Sequence, residues 1–197
     1  LLHPRFAPED IERKRGLILA TIESEKARPF QAALRTLPPL LYGKDHAYGI
    51  PFTGTGSSAS IQQISQSDLI NFHQTWFRPD NATLIVVGNS SLAEITELAQ
   101  DYLGDWKAPS TALPVKHIAT TALADKTRIY LIDRPGSTQS TLIAGHLAPP
   151  PSIENNTTVS VMNSIFGGEF TSRINMNLRE NKGWAYGAGS VISNAVG

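Results

Sequence analysis

The chain has 197 residues, of which 41% are hydrophobic and 17% are charged, and its formal net charge is zero. These values suit a globular protein of one or two domains, and the scattered Lys and Arg residues form no basic patch for nucleic acid. No apolar run approaches the roughly 18 residues that a membrane span needs. The absence of cysteine excludes disulfides, thiolate catalysis and cysteine-ligated metals.

Helices dominate the predicted first half of the chain. Pro8, followed by two acids, is typical of a first helical turn, and Pro38-Pro39 must kink or shorten the second helix. Ser65 and Asp68 form the pattern of a capping box at the start of the third helix. Apolar periodicity predicts these helices at 8–26, 30–42 and 65–76, with a long ordered loop at 44–60.

Strands are predicted to alternate with helices in the rest of the chain. Ser90 or Ser91 caps a helix that ends near Leu103, one helix precedes Gly167-Gly168, and another covers 170–180. The predicted strands lie at 82–88, 127–133, 140–147 and 184–193. We therefore expect an α+β fold, with mixed or antiparallel sheets and helices packed on one face.

The domain organisation follows from a Pro-, Ala- and Thr-rich stretch that is typical of a linker. It predicts the end of one domain over 1–105, a linker over 106–125, and the truncated start of a second domain over 126–197. The chain opens with Leu1 and ends inside a predicted strand, so we expect it to be a piece of a longer protein.

Residues 177–187, with the sequence Asn-Leu-Arg-Glu-Asn-Lys-Gly-Trp-Ala-Tyr-Gly, form the most specific constellation in the chain. They predict the last turn of a helix, a stop at Gly183, and the start of a strand, so that Arg179 and Tyr186 flank one tight turn. A structural interpretation is also open. An Arg near a helix C-terminus is stabilised by the macrodipole, and a Tyr in a strand usually belongs to the core.

Other candidate sites are weaker. Gly54-Thr55-Gly56 has no Lys or second Gly pair where a phosphate-binding loop would place them, so it is interpreted as a loop. His46 stands beside Asp45 and Tyr48 but has no evident Ser or Cys nucleophile, which favours a loop-stabilising role.

The segment from Leu178 to Tyr186 resembles the insulinase/pitrilysin family of zinc metallopeptidases, together with mitochondrial processing peptidase and the core proteins of the bc1 complex. Further motifs follow in the order and spacing of that family, so that the resemblance covers nearly the whole chain. They are Leu2-His3-Pro4-Arg5-Phe6, Tyr48-Gly49-Ile50-Pro51, Phe77-Arg78-Pro79-Asp80-Asn81, and Phe166-Gly167-Gly168 followed by Ser172-Arg173.

This resemblance implies two homologous α+β domains per subunit, with two such halves closing around a peptide. One half of such an enzyme carries zinc on an H-x-x-E-H motif and a third carboxylate. The other half contributes an Arg and a Tyr seven residues apart, which Arg179 and Tyr186 match. Both side chains are donors that could hold a peptide carbonyl and the oxyanion formed when zinc-bound water attacks it.

The zinc motif itself is missing, because no H-x-x-E-H occurs in the sequence. The zinc halves of the family also place two Glu residues seven apart on the first helix, and the aligned positions here are Lys14 and Thr21. Neither side chain is a carboxylate. We therefore expect no catalytic and no metal-binding residue in this segment, and zinc in a partner domain or subunit.

The sequence thus predicts the non-catalytic half of an insulinase-family zinc endopeptidase, with Arg179 and Tyr186 as the substrate-binding residues. Its expected partners are a peptide or unfolded polypeptide and a zinc-bearing homologous domain or subunit, and neither nucleic acid nor a membrane span. The alternative is a catalytically silent scaffold resembling the bc1 core proteins. The cysteine-free composition would tolerate the periplasm, which is the expected location.

Overall fold

Two helices at the start of the chain form as the sequence predicts. In this computed structural model, which describes residues 2–148 and 155–193, α1 spans Pro8–Ala27 and α2 spans Pro29–Tyr42. Pro8 occupies the start of α1, where a missing N–H costs nothing. The two helices pack together, and Ile22 of α1 is fully buried.

The two prolines of α2 do not shorten it, although they lie inside the helix. Pro38 has no N–H to donate, so the helix cannot use the carbonyl of Leu34. The backbone N–H of Phe52 donates to that carbonyl instead, at 3.1 Å. The gap in the helical ladder therefore fastens the long loop that follows α2.

The other helices are shorter, and two of them begin with the caps that the sequence indicates. Ser65 and Asp68 form the predicted capping box, and Ser91 rather than Ser90 caps the next helix by the same reciprocal bonds with Glu94. The elements are α3 Ser58–Gln63, α4 Gln66–Trp76, α5 Leu92–Leu103, α6 Asn156–Asn163 and α7 Arg173–Asn175, with a 3₁₀ turn at Pro79–Asn81 and π-helical turns at Ser164–Gly168 and Met176–Asn181. No helix in the described ranges is long and apolar enough to cross a bilayer.

The predicted α+β fold is wrong, because residues 2–148 and 155–193 form helices and contain no strand or sheet. The four predicted strands are segments without a ladder partner, and their apolar side chains are largely exposed, as at Val87 (94%) and Leu131 (95%). Apolar runs indicate strand propensity, but a strand exists only when a neighbouring segment supplies its hydrogen bonds.

The chain divides into two compact units. Unit 1 comprises Leu1–Ile118 and Arg128–Gly145, and unit 2 comprises Ala119–Thr127 and His146–Gly197. Arg179 and Tyr186 both lie in unit 2. The domain boundaries inferred from the sequence stay a prediction.

A partly buried ion pair ties α1, α2 and the long loop together within unit 1. The Arg35 guanidinium donates to Glu25 at 2.6 Å, to the Thr55 hydroxyl at 2.6 Å and to the carbonyl of Gly56 at 2.6 Å. Only 11% of the Arg35 side chain and 12% of the Glu25 side chain are exposed. Burial acts to raise the pKa of Glu25, but hydrogen bonds from Thr55, Arg35 and Thr53 and the Arg35 charge outweigh it, so the pKa is lowered.

Replacing Glu25 by Gln should lower the free energy of unfolding by about 2 kcal/mol at neutral pH, because a charge-assisted hydrogen bond is lost in a partly buried site. The folded state favours the ionised carboxylate. Its stabilisation is therefore complete above the ordinary pKa and is lost as pH falls through the lowered one. Urea denaturation measures the free energy of unfolding of both proteins between about pH 3 and about pH 7. The loss of stability caused by protonation of Glu25 should appear in the wild type only.

The matched control is Glu23→Gln, since the ion pair of Glu23 with Lys26 is exposed and a surface pair contributes little. Equal destabilisation by the two substitutions would contradict the role given to Glu25.

Candidate functional site

The turn that follows α7 brings Arg179 to the surface of unit 2. Arg179 lies in the π-helical turn Met176–Asn181, and Gly183, two residues beyond its end, has a φ of +64°. The N–H of Gly183 donates to the Arg179 carbonyl at 3.1 Å, and the N–H of Trp184 donates to the Leu178 carbonyl at 2.9 Å. Gly183 is therefore the predicted helix stop, because a side chain there would strain the left-handed backbone.

The Arg179 guanidinium lies over two aromatic rings. Its central carbon is 5.5 Å from the ring centroid of Tyr186 and 4.8 Å from that of Phe170. Its Nε is 3.3 Å from a carboxylate oxygen of Glu180. The structure thus brings the two predicted site residues together, while their role in binding substrate stays a prediction.

The strength of these contacts can be compared with the entropy lost when the Arg179 side chain is ordered. One exposed cation–π contact contributes about 0.5–1 kcal/mol, whereas ordering an Arg side chain costs up to about 2 kcal/mol of rotamer entropy. The Arg179 side chain is 35% exposed and its ion pair with Glu180 is also open to solvent. Two ring contacts together are therefore needed to approach the entropy cost.

A buried amide, Asn175, connects the backbone segments that carry the two rings. Its Nδ2 donates to the carbonyl of Phe170 at 2.7 Å, and its Oδ1 accepts from the N–H of Ala188 at 3.2 Å. Asn175 is only 4% exposed. Sequence reasoning missed this residue, although an Asn inside a helix is unfavourable unless its side chain has a local partner.

A second connection fastens the segment beyond Tyr186 to the π-helical turn after α6. The N–H of Ser190 donates to the Gly167 carbonyl at 2.9 Å, and the Ser190 hydroxyl donates to Oδ1 of Asn163 at 2.7 Å. A Cβ atom at Gly167 would lie 2.3 Å from the Ser190 hydroxyl, so only glycine allows this approach. Beside it lies an open cleft of about 370 Å³, lined by Ser160, Asn163, Ser164, Gly168, Glu169, Ser190, Val191 and Ile192.

A zinc ion finds no carboxylate pair on α1. The family resemblance aligns Lys14 and Thr21 with the two expected carboxylates, and the Thr21 hydroxyl donates to the Leu17 carbonyl at 2.9 Å. Within 2–148 and 155–193, no group of three or more His, Asp or Glu residues is placed to hold a metal.

Replacing Asn175 by Ala should destabilise unit 2 by about 1–3 kcal/mol, because the Phe170 carbonyl and the Ala188 N–H lose their partner. Amide hydrogen exchange of Ala188 measures the local effect, and exchange should accelerate in the variant.

Asn177→Ala is the control, since Asn177 is exposed and only two positions away. Unchanged protection of Ala188 in the Asn175 variant would show that the amide is not the connection.

Comparison with known proteins shows the family to which the chain belongs. Residues 63–196 match the family described as the peptidase M16 inactive domain. The chain therefore belongs to the peptidase M16 family and carries its inactive domain. This confirms the resemblance to zinc metallopeptidases of the insulinase type.

Curated relatives include an uncharacterized zinc protease of Mycobacterium leprae, 26% identical over 98% of this chain and 42% of its own length. Another, from Rickettsia felis, is 27% identical over 95% of this chain and 43% of its own length. The chain thus spans less than half the length of these relatives.

A solved structure supports the fold. The crystal structure of a peptidase M16 inactive domain from Pseudomonas fluorescens matches 97% of this chain and 45% of its own, with a TM-score of 0.74 and 20% identity.

Proposed function

We propose that this chain binds and positions extended peptide substrate for a zinc endopeptidase whose metal site is carried by another domain or subunit. Arg179 and Tyr186 are the substrate-binding residues. The observation that supports this most directly is their proximity: a guanidinium and a phenol, both hydrogen-bond donors, lie side by side on the surface of unit 2.

The pair suits a peptide carbonyl and the negative charge that develops on its oxygen during cleavage. A donor held in place before the reaction stabilises that charge without reorganising. Tyr186 is 92% exposed, so its hydroxyl is accessible to an incoming chain. Neighbouring Gly187 has no described atom within 4 Å of a Cβ position, which leaves room for a second backbone.

The metal-bearing partner is inferred from two facts. The chain spans less than half of relatives that are named zinc proteases, and Lys14 and Thr21 cannot supply the missing carboxylates. A homologous half with the zinc site is therefore the partner that this inactive domain would need.

The test is substitution in the complete protein together with its zinc-bearing half. Arg179→Ala and Tyr186→Phe should each reduce kcat/KM for peptide hydrolysis, by roughly 10²-fold for an oxyanion donor. The loss should fall mainly on kcat, because the donors act most strongly in the transition state.

Arg173→Ala is the matched control, since Arg173 is an exposed Arg of the same unit. A kcat/KM within about twofold of wild type for both site variants would reject the binding role and favour a scaffold.

We further propose a periplasmic location, since a chain without cysteine has no thiol for an oxidising compartment to pair. Cell fractionation of the full-length protein, with a cytoplasmic and a periplasmic marker, tests it. Recovery with the cytoplasmic marker would contradict it.

A further inference from the structure

We infer that Phe170 is a positioning residue for Arg179. This inference rests on the proposed function and adds a third residue to the site. The Phe170 ring centroid is 4.8 Å from the guanidinium carbon, closer than the ring of Tyr186 at 5.5 Å. Phe170 therefore provides the nearer of the two ring faces over which Arg179 lies.

Burial does not explain the position of this ring. Phe170 is 59% exposed, so its removal from water contributes little to folding. The backbone at Phe170 is nevertheless fixed, because its carbonyl accepts from the buried Asn175 amide at 2.7 Å. A well-anchored backbone that presents an exposed ring to a cation fits a positioning role better than a core role.

The ring contacts leave the Nη donors of Arg179 available. A cation is attracted to a ring face by the charge distribution of the ring and uses no N–H donor in that contact. Nε faces Glu180, and across the described part of the chain neither Nη atom has a hydrogen-bond partner. The Phe170 ring thus restricts the side chain without occupying the atoms that would bind a peptide carbonyl.

The positive charge of Arg179 favours an aromatic residue at position 170. A Leu there would keep the apolar character but lose the negative ring face, whereas a Tyr would keep that face. Phe170→Leu and Phe170→Tyr therefore separate ring electrostatics from apolar bulk.

The experiment measures peptide hydrolysis by the complete protein with its zinc-bearing half. Phe170→Leu should lower kcat/KM by about threefold to tenfold, and Phe170→Tyr should stay within about twofold of wild type. Phe166→Leu is the matched control, because Phe166 is an aromatic of the same unit with similar exposure. It should also stay within about twofold.

A double-mutant cycle shows whether Phe170 acts through Arg179. In an Arg179→Ala background, Phe170→Leu should have no further effect on kcat/KM. An independent readout is the NMR signal of Arg179 Nε–H, which ring currents shift in the wild type. That shift should shrink in Phe170→Leu and persist in Phe170→Tyr.

The outcomes distinguish the two proposals. If Arg179→Ala lowers kcat/KM but Phe170→Leu does not, the positioning role is wrong and the proposed function stands. An equal loss from Phe170→Leu with and without Arg179 would also overturn the positioning role. If Arg179→Ala has no effect on kcat/KM, the positioning role fails even where the NMR shift reports the ring contact, and the proposed function fails as well when Tyr186→Phe also has no effect.

Discussion

The geometry of the candidate site depends on one buried side chain. The Asn175 amide donates from one end to the Phe170 carbonyl and accepts at the other from the Ala188 N–H. Because the separation of Nδ2 and Oδ1 within an amide is fixed and each atom makes one hydrogen bond, the two segments are held at a set separation. Each segment carries one of the rings over which Arg179 lies. The two hydrogen bonds of buried Asn175 thus hold in place the segments whose rings contact Arg179 at the surface.

Arg179 is held in a different way from Arg35 of unit 1. Arg35 is fixed by the partly buried carboxylate of Glu25, so its donors are occupied and it stabilises the fold. Arg179 instead rests on ring faces and has one weak ionic neighbour, Glu180. The two arginines therefore differ in their contacts, which are hydrogen bonds and an ion pair for Arg35 and mainly ring contacts for Arg179. Salt would screen the Glu180 pair more than the ring contacts.

The sequence predicts the helices of this chain well, because their signals are local. Pro8, the Ser65–Asp68 box and Gly183 each act within a few residues, and the structure has all three as predicted. The sequence does not predict the short helix α3, which begins inside the predicted loop and ends just beyond it. The strand predictions were wrong for a different reason. A strand needs a partner from a distant segment, and the sequence of one segment does not show whether that partner pairs with it.

The site was only half predictable. The motif around Arg179 and Tyr186 is visible in the sequence, and the structure brings the two residues together. Phe170 and Asn175 were not identified, because their importance comes from a ring contact and two hydrogen bonds to residues 5–13 positions away. The Gly167–Ser190 approach is likewise a contact between separate segments, although Gly167-Gly168 was noted as a motif.

Pro38 has a geometric consequence for the long loop of unit 1. The Leu34 carbonyl can accept from the Phe52 N–H because Pro38, four residues later, has no N–H to donate to it. Successive residues of an α-helix are rotated by about 100° around its axis. Pro39 likewise has no N–H for the Arg35 carbonyl, but that carbonyl lies about a quarter of the way round α2 from the one that Phe52 reaches. The position of Pro38 in α2 thus determines the side of the helix at which the loop can be anchored.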